Sequence, residues 1–298
     1  MATVDLSQLP QPQIIEALDF EGILLDVQAT IIAAFPDEQQ EAVTVAMAFE
    51  SEPLNVIAQT IAYRELMLRQ QINEGAAACM LSHAESSDLD NLSANLNTVR
   101  LEITAATDTS DAVMESDTAL RLRAQTAFEG LSVAGPTGAY EYYAKSASGS
   151  VRDAKAISPS PAVVIVSVLS TEGDGTAPPS LLAAVNTALS AESIRPVGDR
   201  LTVQSAEIVT YAIKATLYLY PGPESEPIIT AAQNGLSSWL SAQGKIGSDV
   251  ARSAIMAALH VQGVQRVELT SPSADIVISD TQSALCSSYN IVAGGTNE

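Results

Sequence analysis

Between Ser51 and Glu85 the chain holds a helical period longer than anywhere else: Leu54, Ile61 and Leu68 recur every seven residues, and Ala58, Glu65 and Ile72 form the neighbouring row. Ser51, an N-cap type residue, stands before Glu52 and Pro53, and a proline near the first helical position costs nothing because its missing N–H is an orphan there. A helix of about 30 residues is about 45 Å long, more than a compact domain of this size needs. It must lie along something. Length alone leaves two readings open, a core helix of the chain's own helical domain or a helix that packs against a partner.

Around this element the pattern is also helical. From Asp19 to Phe35 the apolar residues Ile23, Val27 and Ile31 recur every four, until Pro36 stops them. The opening segment to Pro12 is polar and punctuated by proline, and is expected to be an extended arm. Asp88 to Asn95 predicts a short helix, and Val99 to Thr104 a short strand starting at Arg100. Residues 105–116, AATDTSDAVMES, are small, polar and acidic, a linker by composition.

Beyond the linker the pattern becomes α+β. Helices are predicted over Ser116–Glu129 and Ala139–Ala147. Strands follow at Val151–Ile157 and Val163–Leu169, the second an almost unbroken Val/Ile run that implies burial on both faces. A helix at Ser180–Leu189 leads to strands at Leu201–Ile208 and Tyr211–Tyr220, where Tyr211, Ile213, Ala215, Leu217 and Leu219 alternate with more polar residues. Helices at Glu226–Ala242 and Ser248–Leu259 precede a strand at Val264–Thr270 and short strands near Ile276 and Tyr289. The segments starting at Val151 and Val264 align without a gap around Ser-Pro-Ser, which suggests two helix-then-hairpin modules; Ser-Pro-Ser turns are common enough for chance to give the same echo.

The charge balance excludes several classes of function. Thirty-five Asp and Glu oppose fourteen Lys and Arg, a formal charge of -21. A phosphate-backbone binder needs a basic surface to displace counterions, so nucleic acid is not expected as a partner. No Lys or Arg precedes Arg64, which argues against a secretory or transit peptide. The longest apolar runs, such as Ala76–Leu81 and Ala162–Leu169, are far short of a membrane span, so no membrane partner is expected. Cys79 and Cys286 lie far apart in the sequence and fit free thiols in a reducing cytoplasm.

A search for chemistry finds little. His83 follows Cys79 by four residues, but with only His260 and Cys286 to complete a zinc site the spacing is unsupportive. A packed thiol, a surface imidazole and a helix-capping His260 are sufficient to explain these residues. Gly130-Leu-Ser-Val-Ala-Gly135 has Ala134 where a nucleophile elbow needs glycine, and it follows a helix. No phosphate cradle is visible: Gly244-Lys245-Ile246 lacks the upstream glycine and the hydroxyl. Glu172 and Asp174 among glycines do not form the calcium-loop pattern. No catalytic residue, cofactor or metal is therefore expected. The remaining polar candidates are arginines, Arg64, Arg69, Arg100, Arg121 and Arg123, each suited to hold a carboxylate within the chain or across an interface.

Several blocks carry a family resemblance: Glu50-Ser51-Glu52-Pro53; Ala62-Tyr63-Arg64-Glu65-Leu66; Val113-Met114-Glu115-Ser116-Asp117 with Arg121 and Arg123; Ala127 to Gly135; Tyr218 to Pro227; and Ala257 to Leu269. Over essentially its whole length the chain resembles the baseplate J-like family of contractile-tailed bacteriophages, tailocins and related injection systems. The resemblance implies a structural protein of the baseplate wedge, found in the virion tail and, during assembly, in the host cytoplasm. Its partners would be other copies of itself, a smaller wedge protein and neighbouring wedge or sheath-proximal proteins, joined in a ring around the central hub. The expected architecture is α+β: an N-terminal helical domain at 1–104 with a long helix, a linker at 105–116, and small α+β domains with short sheets at 117–209 and 210–298. The interface candidates are Leu54, Ile61, Leu68, Ile72, Arg64, Arg121 and Arg123. An enzyme with an unrecognised site and an acidic mimic of DNA are the competing readings; the second needs regularly spaced carboxylates that the sequence does not show.

Overall fold

A computed structural model describes residues 6, 9–10, 18–107, 109–132, 134–221 and 226–296. The opening segment to Pro12 falls almost entirely outside them. The chain divides into two compact units, residues 1–99 and 100–298.

The first unit is helical: α1 (Phe20–Ala33), α2 (Asp37–Met47), α3 (Pro53–Ala78) and α4 (Ser86–Asn95). Asp19 caps α1 by accepting from the Glu21 backbone N–H at 3.1 Å. The stripe of Ile23, Val27 and Ile31 turns inward as expected and packs with Leu24 and Met47 against Ala58 and Ala62 of α3. Proline does open α3, but Glu52 rather than Ser51 occupies the N-cap. The helix ends at Ala78, short of the expected Glu85; the chain instead winds through turns at 79–83 that bury Ala84. The helix α2 escapes a periodicity test because only Met47 of it is buried.

The second unit opens with a small hairpin of β1 (Glu102–Thr104) and β2 (Val113–Met114), and residues 105–112 connect its strands. Helix α5 (Asp117–Gln125), capped by Ser116, runs into a 3-10 turn at Ala127–Leu131. Helix α6 (Thr137–Ser146) then leads to a mixed sheet of β3 (Val151–Ser160), β4 (Val163–Ser170) and β5 (Arg200–Ser205), with α7 (Pro179–Leu189) crossing between the parallel pair β4 and β5. Val164, Val166 and Val168 of the central strand bury against Tyr140, Ala144, Leu181, Val185 and Leu189. The opposite face of β4 is covered too: Leu169 packs with Ala206 and Ile246.

The second sheet has the order β7-β6-β8, built from β6 (Glu207–Leu219), β7 (Val264–Ser271) and β8 (Gln282–Thr296). Helices α8 (Glu226–Gln243) and α9 (Arg252–Leu259) cover one face. Tyr211, Ile213, Ala215, Leu217 and Leu219 all point into that core, as their alternation predicts. The α+β architecture expected from the sequence is the one observed.

The two expected hairpin modules are not equivalent. The first exists, but Ser158 and Ser160 lie in β3 and the reversal comes at Pro161-Ala162, with Ala162 at φ 63°. In the second, β7 does not fold back on the chain that follows it. Ile276 makes only an isolated bridge to Val250, and β8 instead runs parallel to β6 on its far side. Hydrophobic alternation identifies strands but not which neighbour each one pairs with.

Candidate interaction surfaces

Helix α3 presents two unlike faces. The row turned toward α1 is Asn55, Ala58 and Ala62, where small side chains allow close approach and Asn55 accepts from Gln28 Nε2 at 2.8 Å while donating to the Phe49 carbonyl at 3.2 Å. The row turned outward is large and apolar: Ile57 52%, Ile61 45%, Leu68 57% and Ile72 52% exposed. Stepping by four and three residues, Ile57, Ile61, Arg64 and Leu68 share one face, with Ile72 beside them. Arg64 is exposed in the middle of this stripe and has no ion-pair partner among the described residues. Arg69, by contrast, is held to Glu65 on its own helix, with Nε 3.0 Å from the carboxylate.

Among the sequence-level interface candidates, the structure places Ile61, Arg64, Leu68 and Ile72 together on this outer face. Leu54 sits partly buried against the α1 core instead. Arg121 is half-buried on α5. Arg123 lies inside the second unit, 6% exposed, and donates to both carboxylate oxygens of Glu115. Glu115 also accepts from the Leu101 N–H at 3.1 Å, and Arg100 reaches the Glu115 carbonyl at 2.6 Å and Asp117 at 2.7 Å. These bonds tie the base of the β1–β2 hairpin to α5, which the composition of that segment does not signal.

A second surface is the open face and outer edge of the C-terminal sheet. Arg266 lies over the Tyr218 ring at 4.0 Å from its centre, a cation–π contact. Next to it, Gly294 lets Tyr218 lie close, since a Cβ there would meet the ring at 2.9 Å. Lys214 is exposed on the same face.

The two modules of the second unit meet at a compact joint. A single buried residue, Ala206, separates β5 from β6 and bonds back to Val168 O at 2.8 Å. Asp153 accepts from the Ile246 N–H at 2.9 Å and from Lys145 at 2.8 Å, while Lys155 pairs with Asp280 at 2.7 Å.

The groups considered for chemistry are dispersed. Cys79 is an exposed helix C-cap and His83 Nε2 lies 3.3 Å from the Pro10 carbonyl. His260 is the C-cap of α9, as its position predicts. Burial pushes the Cys286 thiol above its ordinary value, which keeps it protonated and a poor nucleophile. Among the described residues no group of three or more His, Cys, Asp or Glu is placed to hold a metal ion, and no helix is long and apolar enough to cross a membrane.

Comparison with known proteins finds relatives along the whole chain. Three domain models match in order along the chain: the Baseplate J-like N-terminal domain at residues 50–107, the Baseplate J-like central domain at 132–205 and the Baseplate J-like protein C-terminal domain at 211–289. The first contains all of α3, and the last contains β7 and β6 from Tyr211 onward. The chain is 55% identical to Baseplate protein J of Escherichia phage P2 over 302 aligned residues, covering 100% of both proteins. The chain therefore belongs to the Baseplate J-like family, components of the phage virion tail baseplate.

Proposed function

We propose that this protein is a structural, non-catalytic part of the baseplate wedge, whose work is to fit against copies of itself, a smaller wedge protein and neighbouring wedge or sheath-proximal proteins in a ring around the central hub. The observation that carries this reading is the inverted apolar pattern of α3. A helix that served only its own domain would turn Ile57, Ile61, Leu68 and Ile72 inward; here the alanines face the core and the large side chains face water. Each of those side chains is already about half-buried, so covering the remainder stabilises an assembly by about 1 kcal/mol apiece, and the four together favour a partner helix. Arg64 asks that this partner bring a carboxylate to the centre of the contact.

The helical region at 1–104 then acts as the bundle-forming part, and the α+β domains at 117–209 and 210–298 supply contacts around the ring. Many modest interfaces acting together make a closed ring stable while each can still rearrange when the tail contracts. The acidic charge discourages unwanted association before assembly. Co-expression with the adjacent tail genes tests the role. The chain is expected to co-purify with a smaller tail protein, and Ile61→Lys with Leu68→Lys is expected to abolish capture. A chain that emerges alone, with complete baseplates formed in its absence, overturns the reading.

A further inference from the structure

The C-terminal sheet ends on a bare edge. Strand β8 pairs with β6, and an isolated bridge from Ile246 to Ser283 covers its first residues. From Ala284 onward no strand pairs with its outer edge among the described residues. Folded proteins protect such edges with lysines, prolines or shortness, because unpaired N–H and C=O groups recruit another strand. Strand β8 has none of these defences: it spans 15 residues without a proline, and no charged residue occurs between Asp280 and Glu298. Two irregularities interrupt its register with β6, one between Cys286 and Ser288 and one between Ala293 and Thr296; between them, Ser288 to Ala293 runs residue for residue beside Ala212 to Leu217 and is the regular stretch of the edge. Tyr289 beside Ile213 and Val292 beside Thr216 stand on opposite faces of this run, 47% and 46% exposed.

The geometry points to the same strand of a second copy as the occupant, paired antiparallel about a two-fold axis so that two three-stranded sheets become one of six strands. This deepens the assembly role proposed above and rests on it. A two-fold contact needs a patch that complements itself, and charge decides where such a patch can lie. A chain of formal charge -21 repels its own copy over most of its surface. The edge of β8 is free of acid, and the ionised groups on the adjoining open face are Lys214, Arg266 and Glu268, a positive balance. Two copies approaching here set neutral strand against neutral strand. The pairing supplies the missing backbone bonds and covers Tyr289 and Val292 at once.

The test uses the full-length chain, with sedimentation analysis and amide hydrogen exchange across a range of concentrations. The expected result is a dimer whose formation slows exchange within residues 288–293. Tyr289→Lys with Val292→Lys should weaken that dimer by about tenfold or more, because the two copies then crowd four lysines along one seam, while the circular dichroism and melting of the monomer stay as they were. Ile61→Lys with Leu68→Lys should leave this dimer intact. The pairing is overturned if the wild type stays monomeric at high micromolar concentration, or if it dimerises with no change in exchange on β8. It is equally overturned if the dimer survives the β8 lysines but not the α3 ones. The exchange measurement needs no variant, so a misfolded variant does not leave the matter open. A chain that never dimerises yet completes baseplates in particles lacking it defeats the strand pairing alone; failure to enter particles defeats the assembly role.

Discussion

Arg123 and Glu115 form a buried two-pronged ion pair, with Nε at 3.1 Å and Nη2 at 2.6 Å from the two carboxylate oxygens and the side chains 6% and 7% exposed. Such a pair stabilises little against an apolar replacement, but breaking it leaves a bare charge in a poorly solvated place. Glu115→Leu alone should therefore destabilise the second unit by about 3–5 kcal/mol. The double replacement with Arg123→Met should recover most of the loss. Urea unfolding of the three proteins checks this, and equal losses in single and double variants would count against it.

The two faces of α3 should respond oppositely. Ala62→Leu overfills the contact with α1 and should cost about 1–3 kcal/mol. Ile61→Lys and Leu68→Lys, on the outer face, should each stay within about 0.5 kcal/mol of the parent. Thermal melts of the isolated chain separate these effects, and a strongly destabilised outer-face variant would show that the stripe is already covered.

Alkaline pH should loosen the C-terminal module through Tyr211. Burial, with a smaller contribution from the nearby Cys286 thiol, pushes its phenol up to about 12 from 10.0. A raised folded-state value means the neutral form is favoured in the fold. That stability is complete below pH 10 and drains away as pH rises toward 12. Tyr211→Phe should lose about 1–3 kcal/mol less than the parent across that window. Unfolding free energies at a series of pH values measure the difference, and parallel curves would exclude it.

Helices α8 and α9 touch through a glycine. A Cβ on Gly235 would stand 2.7 Å from the Ala258 carbonyl, and a backbone atom cannot swing aside as a side chain can. Gly235→Ala should push α9 off the sheet at a cost of about 1–3 kcal/mol. An unchanged melting temperature would mean the two helices have slack.

Asp153 closes the joint between the two α+β modules by accepting from Ile246 N–H and Lys145. Asp153→Ala leaves a half-buried N–H without its acceptor, which costs about 1–3 kcal/mol. Limited proteolysis should then cut faster near residues 244–247, and unaltered cleavage there would place the joint's strength elsewhere.

How much of this was legible depends on what each signal encodes. The period of α3 is plain in the sequence, yet the Ala58 row and the Ile61 row are equally periodic. Only the close crossing with α1 decides that the small residues go inside. Strand β6 announces itself by clean alternation. Strand β8, rich in Ser, Ala and Gly and paired with a strand far back in the chain, shows only as a short strand near Tyr289. Glu115 sits at the end of a run whose small acidic residues suggest a linker, and its burial becomes visible only when Arg123 comes round on α5 to meet it. Of the outer stripe, Ile61, Leu68 and Ile72 were legible as a spaced set, but Leu54 shares that spacing and packs inward while Ile57 falls outside it; the bare edge was not legible, because an unpaired backbone leaves no mark on composition.

The single-residue interval at Ala206 has a mechanical meaning. Strand β5 leaves one sheet and enters the other as β6 almost without pause, so tension applied to either sheet travels along covalent backbone rather than through a slack loop. Shear between the modules must also break the bond from Ala206 to Val168 before anything slides. The pair should respond to a load as one stiff bracket.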